Sequence, residues 1–385
     1  MVKYKSKLPN VGTTIFATMS NLATEHGAIN LGQGYPNFDC PEDLKVLIRH
    51  YLDSGKNQYA PMIGLPQLLD QLANKMNTMY GCDLDGRKEI TITAGATQAL
   101  FSAITAFVHK GDEVILLEPC YDCYRPSVES VGGLPVAYEL KAPDFKVNWE
   151  EVAALFSEKT RMIIINTPHN PIGKTLNRDD IQALENITRG TDIIVLSDEV
   201  YEHLIYDGES HQSVLRFKDL RERSLAVYSF GKTFHATGWK IGYCVAPPRL
   251  TKEFRKIHQW NVYAVNSFLQ FALADYLKDP EPYLGLPDFY QQKRDYFNEA
   301  MKGSKLKPLD SKGTYFQLFD FSEVSDEDDF TFAKRLTTEF GVAAIPVSVF
   351  YSNRRQGGVI RLCFAKTEDM LSKAAVKLTY GILGK

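Results

Sequence analysis

The 385-residue chain has no apolar run near the roughly 20 residues needed to cross a bilayer. Its most apolar stretches, such as Met162 to Ile165 and Ile193 to Leu196, have the length of buried strands, so no membrane partner is expected. The basic residues of the opening MVKYKSKLPN have no apolar stretch behind them, which argues against a secretory signal. Cysteine is sparse: Cys40, Cys82, Cys120, Cys123, Cys244 and Cys363 are too few for a disulfide framework, and a cytoplasmic location is expected. An excess of positive charge is missing too. Lys plus Arg total 44 against 47 Asp plus Glu, so no basic field gathers a phosphate backbone and nucleic acid is not an expected partner.

Two partial motifs lack their other half. Cys120-Tyr121-Asp122-Cys123 has the spacing of a zinc or redox half-site, but no second cysteine pair matches it and no metal is expected. Gly32-Gln33-Gly34 is followed by Asn37 where a dinucleotide fingerprint needs its third glycine, and no strand-turn-helix surrounds it. Repeats and low-complexity tracts are not apparent. What is there is an ordinary globular composition, 44% hydrophobic and 24% charged, long enough for two or three domains of roughly 150 residues.

The middle of the chain alternates between short β-branched runs and helical patterns. Ile90–Thr93, Glu113–Leu117, Leu134–Leu140, Arg161–Asn166, Asp192–Ser197, Leu225–Ser229 and Ile241–Val245 read as strands, with a helix at about Thr97–His109. This predicts an α/β fold with a mostly parallel sheet covered by helices on both faces. The ends read as a smaller α+β domain. They carry a long helical pattern from Pro280 through Met301, strands at Thr314–Phe319 and Val359–Phe364, helices at about Asp328–Phe340 and Thr367–Leu383, and an extended segment Ile29–Asn37. The expected division is a large domain over 46–279 and a small one made of 1–45 and 280–385.

Ligands of open α/β sheets bind beyond the carboxyl ends of the strands, so chemistry is sought there. Lys232, in Ser229-Phe230-Gly231-Lys232, follows a strand among small and polar residues; burial there lowers an amine's pKa, as an imine-forming lysine requires. The bland alternative is a lysine snorkelling to solvent. Asp198, in Ser197-Asp198-Glu199-Val200-Tyr201, follows an apolar run and needs a positive or donor partner, unless it simply caps a helix. Asn170 sits in the proline-punctuated turn Asn166-Thr167-Pro168-His169-Asn170-Pro171-Ile172-Gly173, aimed at a ligand or merely turning the chain. Ala94-Gly95-Ala96-Thr97-Gln98 starts a helix whose free N–H groups suit an anion. Arg361, in the strand Val359–Phe364, is a fork-shaped carboxylate donor or an outward-facing residue.

In order and spacing these segments, with Asn30-Leu31-Gly32-Gln33-Gly34-Tyr35-Pro36, Asn57-Gln58-Tyr59 and Gly238 to Tyr243, resemble the class I and II aminotransferases. These are the fold-type I enzymes dependent on pyridoxal 5'-phosphate, and the likeness is strongest to the methionine and kynurenine/glutamine aminotransferase branch. The resemblance covers nearly the whole chain. It implies a seven-stranded, mostly parallel sheet in the large domain, a second smaller α+β domain, and a homodimer with shared active sites.

By that resemblance Lys232 bonds the cofactor covalently and shuttles the substrate's α-proton. Asp198 holds the pyridine nitrogen protonated, which makes the ring an electron sink. Asn170 and Tyr201 donate to the phenolic oxygen, and Tyr121 lies against the ring. The phosphate falls to Ala96, Thr97, Ser229 and Lys240, with Tyr59 reaching in from the second subunit. Arg361 takes the substrate's carboxylate, Gly34 and Asn170 line that pocket, and Tyr35 and Phe350 are candidates for the side-chain pocket. Two positions depart from the common pattern: Gly231 stands where Ser is frequent and Lys240 where Arg is usual, so cofactor retention is expected to be weaker. With no second arginine marked for a side-chain carboxylate, neutral donors such as Met, Gln, Phe, Tyr or kynurenine are expected, passing an amino group to a 2-oxo acid by a ping-pong cycle. Two other activities fit the same scaffold: β-elimination from cysteine S-conjugates, and a cofactor-sensing regulatory module, for which no DNA-binding domain is visible.

Overall fold

In the computed structural model, which describes residues 2–382, the alternating middle of the chain forms one seven-stranded sheet. Its strands are β1 (Ile90–Thr93), β2 (Glu113–Glu118), β3 (Leu134–Glu139), β4 (Thr160–Asn166), β5 (Ile194–Asp198), β6 (Ser224–Ser229) and β7 (Gly242–Val245). They lie in the order β1-β7-β6-β5-β4-β2-β3, and only β7 runs antiparallel to its neighbours. Both faces are covered, and the sequence shows why. Ile115, Leu117, Ile163, Ile165 and Val195 point into one hydrophobic core, while Val114, Leu116, Met162, Ile164 and Leu196 point into another on the opposite face. Strands apolar on both faces are what a parallel sheet under two helical layers demands.

The chain's far end builds a four-stranded antiparallel sheet in the order Ile345–Pro346, Val359–Cys363, Phe316–Asp320, Lys307–Pro308. The early segment joins it only in part. Ile29–Asn30 pairs in parallel with Val342–Ala343, and the rest of the expected extended stretch to Asn37 is loop. That loop is tied down where Cys363 N–H donates to the Leu31 carbonyl at 2.7 Å, which brings Gly32 and Gly34 beside Arg361.

Two expectations change, and a third runs up to the edge of the described residues. The helical pattern from Pro280 is two helices, Glu281–Leu284 and Leu286–Ala300, separated at Gly285. Pro287 is the cause, since a residue without an N–H fits only the first turn of a helix and so starts a new one. The helix Glu42–Asp53 runs across position 45 and stacks Tyr51 on Phe271 of Ser267–Tyr276, so it lies with the elements that follow it. The helix expected to reach Leu383 is described as Glu368–Ile382, and Leu383 lies outside the described residues. No helix among the described residues is long and apolar enough to cross a membrane.

Candidate active site

The carboxyl ends of β4, β5 and β6 open into a cavity of about 220 Å³ that also receives Arg361 from the smaller sheet. Gly34, Ala96, Thr97, Tyr121, Asn170, Asp198, Tyr201, Ser229, Lys232, Lys240 and Arg361 all line it. The segments around Gly34, Ala96, Tyr121, Asn170, Asp198, Lys232, Lys240 and Arg361 therefore share one space, which Asn57-Gln58-Tyr59 does not line.

Lys232 stands on the short helix Phe230–Thr233 that directly follows β6. Its Nζ donates to the Tyr315 hydroxyl at 2.8 Å and to the Gly34 carbonyl at 3.2 Å. Burial pushes its pKa down to about 8, helped by the charges of Arg361 and Lys240. A free amine is thus accessible near neutral pH, which a nucleophilic lysine needs. Gly231 beside it has no room for a side chain, because a Cβ there would sit 2.9 Å from the Cα of Thr237. That is a physical reason for glycine at this position in this chain.

Asp198 is the last residue of β5 and is fully enclosed; burial raises its pKa to about 6, against the pull of the Tyr124 hydroxyl, which donates to it at 2.6 Å. Asn166 ends the neighbouring strand β4 and clamps the site. Its Nδ2 donates to the Asp198 carbonyl at 2.8 Å, and its Oδ1 accepts the Asn170 N–H at 2.7 Å. Tyr201 faces Tyr315 edge-on at 5.2 Å, and burial pushes its hydroxyl pKa far up, so it is a neutral donor. Tyr121 leans edge-on against Tyr124 at 5.8 Å.

At one end of the cavity, Gly95 (φ 78°) opens the helix Ala96–Phe107. That left-handed backbone favours glycine, and the Lys240 ammonium comes within 3.4 Å of where a Gly95 Cβ would be, so a cation stands beside the free N–H groups. Ser229 completes this end. At the other end Arg361, wholly buried, donates from Nη1 to Asn170 Oδ1 at 2.6 Å and from Nη2 to the Gly32 carbonyl at 3.0 Å. Its guanidinium lies 3.8 Å from the Phe316 ring centre, with Phe16 and Phe350 at 5.2 and 5.6 Å, and its Nε has no partner among the described residues. Burial lowers even this group to about 10. A buried cation with unused donor capacity is complementary to a carboxylate.

Two expected residues, Tyr35 and Phe350, lie outside the lining, and Tyr59 was expected only from a second subunit. Tyr59 is 82% exposed, edge-on to Tyr263, and does not reach this chain's own cavity. Tyr35 is half-exposed; its carbonyl accepts from Lys366 Nζ at 2.7 Å and its ring lies beside the same ammonium, which turns it away from the cavity. Phe350 is buried against Arg361 without lining the space. Residues that the sequence did not single out include Phe16 and Phe316 in the lining and Tyr124 and Tyr315 behind it, while Asn166 and Val200, also in the lining, stood inside quoted motifs without a role. The Tyr315-Phe316 pair after Gly313-Thr314, at a strand start, was the available signal.

An anion cup at a helix N-terminus, a lysine with lowered pKa and an enclosed carboxylate, arranged around one cavity, suit a phosphate-bearing pyridine aldehyde. They define a pyridoxal phosphate enzyme of the fold-type I class. The comparisons carry this to a family: residues 26–378 match the aminotransferase class I and II family, and the chain belongs to it. It is 51% identical over 375 residues to a methionine aminotransferase of Escherichia coli, covering 97% of each chain. It is 34% identical to human kynurenine–oxoglutarate transaminase 1, over 93% of each. Among solved structures, an E. coli protein described as having a methionine aminotransferase function superposes with TM-score 0.97 at 50% identity over 98% of this chain and 100% of its own. N-succinyldiaminopimelate aminotransferase of Mycobacterium tuberculosis gives 0.94 at 33%, over 98% and 100%. The chain is an aminotransferase, and its cofactor is pyridoxal phosphate.

Proposed function

We propose that this aminotransferase takes its amino group from neutral amino acids, methionine first and then glutamine and aromatic or kynurenine-like donors. One observation carries the reading. The cations lining the cavity among the described residues are Lys232, Lys240 and Arg361, and beyond Arg361 the walls are Phe16 and Phe316. A donor with a second carboxylate finds no second arginine there, whereas a thioether or aromatic side chain finds ring faces. The E. coli relative named for methionine, 51% identical, supports the same choice.

The roles follow from position. Arg361 holds the substrate α-carboxylate, with Asn170 and Gly34 beside it. Bound cofactor supplies a ring that takes up the electron pair left when the α-proton departs. Lys232 Nζ, poised by Tyr315 and Gly34, removes and returns that proton. Asp198 faces the pyridine nitrogen as a carboxylate, Tyr201 and Asn170 donate to the phenolic oxygen, and Tyr121 covers the ring. Ala96, Thr97, Ser229 and Lys240 hold the phosphate. The working unit is a homodimer in the cytoplasm, in which the exposed Tyr59 of one copy completes the cup of the other. The chain divides functionally into the large domain over 46–279, with the start of the helix Glu42–Asp53 added to it, and a small domain made of the rest of 1–45 with 280–385.

A single-turnover absorbance screen tests the donor class. The cofactor band should convert to its amino form with Met, Gln and aromatic amino acids, and far more slowly with Asp and Glu. A flat response to the neutral donors, or a faster one to Asp, would sink the assignment.

A further inference from the structure

The turn that carries Asp198 and Tyr201 has a second side. Asp198, Val200 and Tyr201 line the cavity, whereas Glu199 and Glu202 point away from it into the protein and are buried. Both carboxylates are saturated with partners. Glu199 accepts from the Ser197 hydroxyl at 2.8 Å, the Val214 N–H at 3.1 Å and the Tyr228 hydroxyl at 2.9 Å, with His211 Nε2 at 2.8 Å. Glu202 is ion-paired with Lys75, accepts from the Tyr80 hydroxyl, and takes the Tyr243 hydroxyl at 3.2 Å. His203 lies 3.3 Å from the same carboxylate, and burial keeps its ring neutral, its pKa down at about 4.

Lys75 is the unusual member. It sits in the helix Pro66–Tyr80 with its ammonium enclosed by the rings of Tyr228, Tyr243 and Tyr283 at 5.3 to 5.9 Å, and nothing in the transamination chemistry uses it. A buried ion pair is weak evidence for stability, since replacing both partners by neutral groups of similar shape is often harmless. What such a pair does well is fix one geometry. A turn with two residues aimed at a cofactor and two anchored behind it has little freedom to rotate those residues out of line.

We propose that Lys75 is a positioning residue: through Glu202 it pins the 198–203 turn so that the Asp198 carboxylate and Tyr201 hydroxyl meet the cofactor in register. The inference rests on the roles given above to Asp198 and Tyr201. It separates cleanly from a stability role, because the two predict different behaviour for single and double variants.

The experiment uses holoenzyme and compares Lys75→Met, the double variant Lys75→Met with Glu202→Gln, and Tyr201→Phe. The single variant leaves a carboxylate buried without its counter-charge and should lose thermal stability or fail to fold. The double variant should regain most of the melting temperature, yet keep a kcat lowered by about tenfold or more with KM changed less than about twofold, since small misplacements at a reacting centre are costly. Its bound-cofactor absorption at fixed pH should shift and the cofactor should dissociate faster. A double variant with wild-type kcat and spectrum overturns the proposal. Should that variant not fold, Glu202→Gln alone removes the charge that Lys75 pairs with, and an unmoved spectrum there overturns it equally. The Tyr201→Phe arm keeps the two readings apart: no spectral change in that variant sinks the role of Tyr201 itself.

Discussion

Each end of the cavity carries a cation, and the two are built in opposite ways. Arg361 is wholly buried, bonded at both Nη atoms and laid on Phe316. Lys240 is exposed, in left-handed backbone (φ 52°), and no hydrogen bond or ion pair holds its ammonium among the described residues. One group is desolvated and aimed in advance, so little reorganisation opposes the arrival of a carboxylate. The other is a hydrated point charge at a helix N-terminus, where backbone N–H groups do the aiming and the charge only adds to them. The difference suits a substrate that must be recognised at every turnover and a cofactor that stays.

The contrast is easiest to break at the rigid end. Arg361→Lys keeps the charge but loses the fork and the stacking, and kcat/KM for any donor should fall by about 10²- to 10³-fold, the worth of one or two charge-assisted bonds. Steady-state kinetics checks this, and a loss below tenfold would mean the fork is not what reads the carboxylate. Phe316→Leu should cost roughly tenfold in the same parameter by removing the ring face under the guanidinium. The ends also differ in their pull on Lys232. Covalent loading of apoenzyme with pyridoxal phosphate needs the free amine, so its rate should rise with pH through about 8, followed by absorbance. Removing a positive neighbour raises the Lys232 pKa, and Arg361→Met should move that midpoint to higher pH further than Lys240→Met does, Arg361 being the stronger influence. Equal shifts, or a rate flat with pH, contradict the lowered amine. The smallest effect belongs to the loose end: Lys240→Arg should tighten cofactor binding only a few-fold, and an unchanged dissociation constant would show that the helix N-terminus alone decides retention.

What was legible in the sequence was whatever follows a strand. Asp198 ends β5, and Lys232 and Asn170 stand just past β6 and β4, so a strand pattern plus the rule for open sheets locates them. Arg361 stood out as a charge inside an apolar strand. Tyr124 and Tyr315 were hidden because their partners, Asp198 and Lys232, are distant in sequence and meet them only through packing. Phe16 belongs to the early helix Ile15–Glu25, whose apolar residues read equally well as ordinary core. The break at Gly285 was written in Pro287, but the helical period on either side masked it.

The antiparallel strand β7 has a further meaning for how the enzyme comes apart. Ser229 pairs with Gly242, so the segment bearing Lys232 and Lys240 is a single hairpin tip, seated on the helix at Ala96 where a Gly242 side chain would collide with the Tyr228 carbonyl. On the roles proposed above, cofactor bound there would staple that tip to the helix, and Lys232 and Lys240 would share one fate. Local opening of this hairpin, read by hydrogen exchange, should therefore set how fast the cofactor is shed, well before the sheet itself gives way.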